Sequence, residues 1–198
     1  MRNKKKIFYF FTLLFFLNSC SYHLGRNEDS KISTVSVPYV KGDFSGLFTQ
    51  EVIRQISNTP SLTYRYSNAD SKLKIAIIDN KVDQIGYKYD RDKKDQRKKN
   101  IRQTESRQTI TVNIELMDNK TNETILGPYK ISADEAFDYV DQDNLNDLSF
   151  VDSNGNRETV LAFSLGQLES FENAKDASLK PIYIQLAQKI VDAISSQW

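Results

Sequence analysis

The hydrophobic positions of this chain fall into two kinds of repeat, one of period two and one of period 3.6. Ile110, Val112, Ile114 and Leu116 alternate without a break against Thr109, Thr111, Asn113 and Glu115. That pattern predicts a strand with one covered and one wet face. Leu73, Ile75 and Ile77 alternate with Lys72, Lys74 and Ala76, and this strand continues through Val82 and Ile85 to Tyr87. Ile32 to Val37 reads as a β-branched strand ended by Pro38, which has no N–H to donate. Asp118, Asn119, Lys120 and Thr121 form a turn, after which Thr124 to Ala133 returns as a fourth strand, irregular at Gly127 and Pro128. The helical stripes lie at either end. Phe44, Leu47, Phe48, Val52 and Ile56 follow a candidate N-cap, Asp43, and Ser57 to Pro60 stops them. Leu179, Ile182, Tyr183, Leu186, Ala187, Ile190, Ala193 and Ile194 form the second stripe, with Pro181 in its first turn. Asp134 to Glu158 reads as an acidic excursion and Thr159 to Phe171 as a short helical segment. The order β-α-β-β-β-α predicts an α+β domain, two helices packed on one face of a mostly antiparallel sheet of about four strands.

The first twenty residues obey a different rule. Arg2, Lys4, Lys5 and Lys6 precede an apolar run, Ile7 to Leu17, broken only by Thr12, and Asn18, Ser19 and Cys20 follow. A run of eleven residues is about half of the roughly 20 needed to span a bilayer. Residues 1–19 therefore read as an export signal. Cys20, the single cysteine, stands where a bacterial lipoprotein signal needs a thiol to receive diacylglycerol, with Leu17 and small Ser19 in the positions the peptidase reads. Lipidation makes the mature chain anchored, because two or three acyl chains hold where one does not. Ser21 is not the aspartate that retains such proteins at the inner membrane, so the expected location is the periplasmic side of the outer membrane. Residues 20–30 form the lipidated tether and 31–198 one domain. No cofactor is expected beyond the diacylglyceryl and N-acyl groups on Cys20.

Charge sharpens this picture. The chain has 27 basic and 26 acidic residues, and removing the first 19 leaves a net charge of −3. No charge excess points to nucleic acid. One cysteine and one histidine, His23, exclude an internal disulfide and a Cys/His zinc site. Between Tyr87 and Gln108, however, nine basic residues meet four acidic ones. Placed in the connection between the second and third strands, they suggest an anion-binding tip in which Lys93, Lys94, Arg97, Lys98 and Lys99 meet phosphates. The competing reading is a solvated polar loop. Asp141, Asp143 and Asp147 invite a calcium reading, but Asn146 stands where an EF-hand needs glycine and Asp152 where it needs glutamate. No metal site is expected. No G-x-S-x-G elbow or Cys/His pair supports a nucleophile, so no catalytic residue is assigned. Tyr64, Tyr66, Tyr87 and Tyr89 suit sugar stacking, although on sheet faces such pairs more often pack.

Cys20 followed by Ser21, Tyr22, His23, Leu24, Gly25 and Arg26 resembles the opening of the LPS-assembly lipoprotein LptE family, with Ser21 in place of its glycine and the Gly/Arg pair inverted. Val37-Pro38, Ala69-Asp70 followed by Leu73, and Leu186-Ala187 with Ile190-Val191 look like the family's later motifs in the same order. Residues 88–107 and 134–158 match poorly. The resemblance implies two helices on a four-stranded sheet and no enzymatic activity. It also implies a plug inside an LptD-like outer-membrane β-barrel, which the chain would help assemble, and LPS as ligand. The rival reading is a periplasmic scaffold lipoprotein that activates a cell-wall synthase.

Overall fold

The structure is a computed structural model that describes residues 33–91, 94, 96–139, 149–159 and 170–195. The export signal, Cys20 and the tether lie outside the described residues, as do Lys93, Asp141 to Asp147 and the segment 160–169. The described elements are β1 (Thr34–Ser36), α1 (Leu47–Ser57), β2 (Thr63–Tyr64), β3 (Ser71–Arg91), β4 (Arg97–Asp118), β5 (Thr124–Asp138), β6 (Ser149–Val151), β7 (Arg157–Thr159) and α2 (Phe171–Ser195). One sheet runs β2-β1-β3-β4-β5, and β6 and β7 pair as a separate short hairpin. The α+β architecture is therefore as expected, with a fifth strand. That strand, β2, is two residues long, too short for alternation to reveal. The sheet is mixed: β1 lies parallel to β2 and β3, while β3-β4-β5 is an antiparallel meander. Parallel β1 and β2 need a crossover, and α1 supplies it.

β4 places Ile110, Val112, Ile114 and Leu116 under the helices, essentially without solvent contact. Their neighbours on the same face are Leu73 and Ile75 of β3 and Leu126 and Ala133 of β5. Helix α2 answers with Ile182, Leu186, Ile190 and Ile194, a ridge at intervals of four, and with Tyr183, Ala187 and Val191 beside it. Phe48, Val52 and Ile56 close the core from α1, where the Phe48 ring stacks on Tyr183 at 5.0 Å. Burying each such side chain contributes about 1.5–3 kcal/mol, which is what holds two helices to one sheet face.

Three local expectations are corrected. Phe44 and Leu47 do not join the buried stripe and are 100% and 57% exposed. The helix begins only at Leu47, after Gly46 turns the chain at φ 75°. Asp43 still satisfies the first turn, from outside it. Its Oδ2 accepts the Thr49 N–H and hydroxyl at 2.8 Å each, and Oδ1 accepts the Gly46 N–H at 3.0 Å. Helix α2 starts at Phe171, so Pro181 sits inside it. The carbonyl of Ala177 loses its usual helical partner there, at a residue that is exposed to solvent. Asp134 to Asp138 belong to β5 rather than to an excursion.

The irregularity expected at Gly127 and Pro128 is present. Gly127 has φ 96°, and Ile114 and Leu116 of β4 face Tyr129 and Leu126, so the chain bulges between them.

Candidate functional site

The basic stretch is strand, not connection. β3 and β4 pair from Ser71 and Asp118 out to Arg91 and Arg97, and the connection shrinks to residues 92–96. Cover on either side ends sooner. β1 and the bridge at Lys41 support β3 only as far as Ile77. β5 follows β4 to the Glu105–Asp138 pair, with one further bond from the Tyr139 N–H to the Thr104 carbonyl at 3.1 Å. Beyond Gly86 and Glu105 two strands continue alone. Residues 87–91 of β3 and 97–104 of β4, the latter longer because the register slips between Tyr89 and Arg91, make an arm of roughly 20 Å at about 3.3 Å per residue.

Gly86 marks the bend. A Cβ there would lie 2.4 Å from Glu105 Cβ, and the register shifts on both sides of it. The root is fixed by a buried polar relay. Gln108, 1% exposed, donates from Nε2 to Asn80 Oδ1 at 2.9 Å and accepts at Oε1 from the Ser178 hydroxyl at 2.6 Å. One amide thereby ties β3, β4 and α2 together. Phe137, Tyr139 and Phe171 cluster nearby with centroids 4.9–6.2 Å apart, joining the end of β5 to the start of α2.

Of the five predicted anion-binding residues, Lys94, Arg97, Lys98 and Lys99 lie exposed at the far end of the arm. Lys93 lies outside the described residues. Arg107, part of the same basic run, sits nearer the body and pairs with Asp134 at 3.4 Å. Lys88 and Arg102 are direct cross-strand partners, a juxtaposition that like charges disfavour. Positive charge is therefore concentrated along the ribbon.

The tyrosines separate. Tyr64 packs against the core and Tyr66 is exposed. Tyr87 and Tyr89 stay outside the core: they are 59% and 42% exposed, beside Ile101 at 54%. Sequence spacing singles out Tyr87 and Tyr89 but misses Ile101 on the same face, because the segment after Tyr87 reads as a loop. The signal was there, since Tyr87 and Tyr89 flank Lys88 as Ile101 and Gln103 flank Arg102.

The other candidates resolve into structure. Asp152 Oδ1 accepts the N–H groups of Asn154 and Asn156 at 2.9 and 2.7 Å, which lowers its pKa and commits it to its own turn. Among the described residues no group of three or more His, Cys, Asp or Glu side chains is placed to hold a metal ion. Asp70 clasps β1, its Oδ2 accepting from the Thr34 hydroxyl at 2.7 Å, the Ser33 hydroxyl at 3.1 Å and the Thr34 N–H at 3.2 Å. The Thr34 hydroxyl is the main cause of its lowered pKa. The Tyr183 phenol is pushed up by burial and then by Asp43. A cleft of about 340 Å³ between the helices is lined by Leu47, Gln50, Glu51, Arg54, Lys180 and Tyr183, and Arg54 is paired there with Glu51. Among the described residues no helix is long and apolar enough to cross a membrane.

The described residues thus form a helix-covered α+β body that carries an exposed cationic ribbon. A sequence model of the family described as "LptE: Lipopolysaccharide-assembly" matches residues 32–194. The chain belongs to that family, whose members are non-enzymatic lipoproteins associated with the LPS transport machinery. No curated protein sequence matches it. Among solved structures it is similar to the rare lipoprotein B from Shewanella oneidensis, at 13% identity, a TM-score of 0.41, and coverage of 83% of this chain and 96% of that one. Lipoprotein B from Nitrosomonas europaea is similar at 12% identity and TM-score 0.43, covering 89% of this chain and 94% of that one. A Xanthomonas campestris protein is similar at 10% and 0.46, with coverage of 89% and 94%.

Proposed function

We propose that this LPS-assembly lipoprotein plugs and helps assemble an LptD-like outer-membrane β-barrel and binds LPS on its way to the outer leaflet. Residues 1–19 are removed on export, Cys20 carries the diacylglyceryl and N-acyl groups, and the domain faces the periplasm from the outer membrane. The observation that supports this reading is the polarity of the domain. Ser33 and Thr34, which lead in from the tether, bond to Asp70 at the start of β3. The cationic end of the arm lies at the other end of that strand, 21 residues away, or about 65 Å at 3.3 Å per residue. One end is thus suited to attachment and the other to a ligand. Lys93, Lys94, Arg97, Lys98 and Lys99 offer charge-assisted bonds to lipid A phosphates. None of this needs turnover.

The test is a native detergent pull-down of the lipidated chain from its own envelope, with partners identified and counted. A complex near 1:1 with a large outer-membrane β-barrel is expected. Recovery of a cell-wall synthase, or of no barrel, would refute the plug and favour a scaffold role. A Cys20→Ser form should lose lipid labelling and membrane fractionation together.

A further inference from the structure

The arm has two properties that cationic charge alone does not explain. Arg97 Cζ lies 3.2 Å from the centroid of the Tyr89 ring. At that distance only a flat, face-to-face arrangement avoids driving a guanidinium nitrogen into the ring, so the N–H edge of Arg97 points sideways, away from the ring. Beside this pair, Tyr87 and Ile101 expose apolar surface on the same side of the ribbon, because Tyr87 is registered with Gln103 and Tyr89 with Ile101. A stacked guanidinium has lost much of its rotamer freedom already and presents a rigid fork that fits two phosphate oxygens.

We infer that Tyr89 is a positioning residue for Arg97 as a phosphate-recognising group, and that Tyr87 and Ile101 carry the adjoining apolar part of the same ligand. The occupant is a phosphorylated glycolipid. The choice follows from charge complementarity with Arg97, and from the apolar surface beside it, which a free phosphate or a bare polyanion would leave wet. This inference rests on the LPS-binding reading and adds to it which part of the ligand meets which side chain.

The experiment titrates the mature lipidated chain in detergent with bisphosphorylated lipid A, monophosphorylated lipid A, inorganic pyrophosphate and phosphatidylglycerol vesicles. The unaltered protein should prefer the bisphosphorylated form. Tyr89→Leu and Arg97→Lys should each weaken binding of that form about fivefold to tenfold, the loss of about one well-placed bond, and erase the preference. Tyr89→Phe, which keeps the ring, should retain it. A Tyr87→Ser/Ile101→Ser double variant should bind both lipid forms more weakly while binding pyrophosphate as before. A Tyr89 that merely stabilised the ribbon would weaken all ligands alike, and that result overturns the inference. So does full retention of the preference in Tyr89→Leu, or equal binding of phosphatidylglycerol vesicles, which would point to a membrane surface. If the unaltered chain binds lipid A but none of these variants changes it, this assignment fails and the LPS reading stands. If the unaltered chain binds no lipid A, both fall.

Discussion

Replacing Gln108 tests whether the arm is anchored as described, and the three obvious variants have different expected costs. Gln108→Leu keeps the volume and removes both bonds. The single Ser178 hydroxyl proton can turn to the Lys175 carbonyl, 2.7 Å away, and Asn80 is exposed to water, so the loss is near the low end for two bonds, about 1–2 kcal/mol. Gln108→Ala adds a cavity and should cost about 2–4 kcal/mol. Gln108→Glu is the informative case. Protonated, the carboxyl offers an O–H to Asn80 and a carbonyl to Ser178 and resembles the amide; ionised, it is a buried charge. Its pKa in the folded state must therefore rise above the unfolded value of about 4.3. A raised acid pKa gives stability that is full below the unfolded value and lost as pH climbs through the folded one, at up to about 1.4 kcal/mol per unit. Urea denaturation followed by far-UV circular dichroism should find Gln108→Glu within about 1 kcal/mol of the parent at pH 4 and several kcal/mol below it at pH 7. Hydrogen exchange of residues 97–104 should quicken in Gln108→Ala. A pH-independent difference for Gln108→Glu, or one that grows toward acid, would refute the relay.

Exchanging Lys93, Lys94, Arg97, Lys98 and Lys99 together for Gln should leave stability within about 0.5 kcal/mol while LPS affinity falls at least about tenfold and loses most of its salt dependence; unchanged affinity would remove these residues from the site. Gly127→Ala should cost about 2–3 kcal/mol in chemical denaturation, because φ is 96° and a Cβ would lie 2.6 Å from the Ile114 carbonyl oxygen. Asp70→Ala should cost about 1–2 kcal/mol near neutrality, a discounted value because the carboxylate is only partly buried. Its pKa is lowered chiefly by the Thr34 hydroxyl, so this contribution is present above about pH 3.9 and disappears as pH falls through the lower folded value. The two proteins should converge in stability as pH falls below about 3.9.

What sequence made legible was what burial had written into it. Ile110 to Leu116 and Ile182 to Ile194 face one core, and their periods survive because every second or fourth side chain is excluded from water. Asp43 was identifiable as a cap by residue type, although its distance from the helix depended on the left-handed turn at Gly46, which no periodicity encodes. The arm was misjudged for the opposite reason. Its strands contribute no residue to the hydrophobic core, so polarity alone made them look like a loop, and only backbone pairing defines them. The cations were found by counting charge and the two tyrosines by their spacing; that Ile101 shares their face, with no described helix or third strand laid over it, needed the register.

That lack of cover bears on what the arm is for. A two-stranded ribbon with no third strand or helix on it is marginal in water, and here the distal strands set Lys88 against Arg102 and expose two tyrosines and an isoleucine. Nothing in that composition helps the body fold, since the core closes without any side chain beyond Gln108 toward the tip. The chain instead spends a buried amide, a tight glycine contact and an aromatic cluster on holding the root of a segment that gains nothing from water. Such an arrangement is stable in isolation chiefly through its root, and it becomes favourable along its length once an anionic, partly apolar surface lies against it. The architecture thus separates folding from the proposed recognition: the helices and the inner sheet face supply the stability, and the ribbon carries outward the charge and apolar area that the proposed phosphorylated lipid would meet.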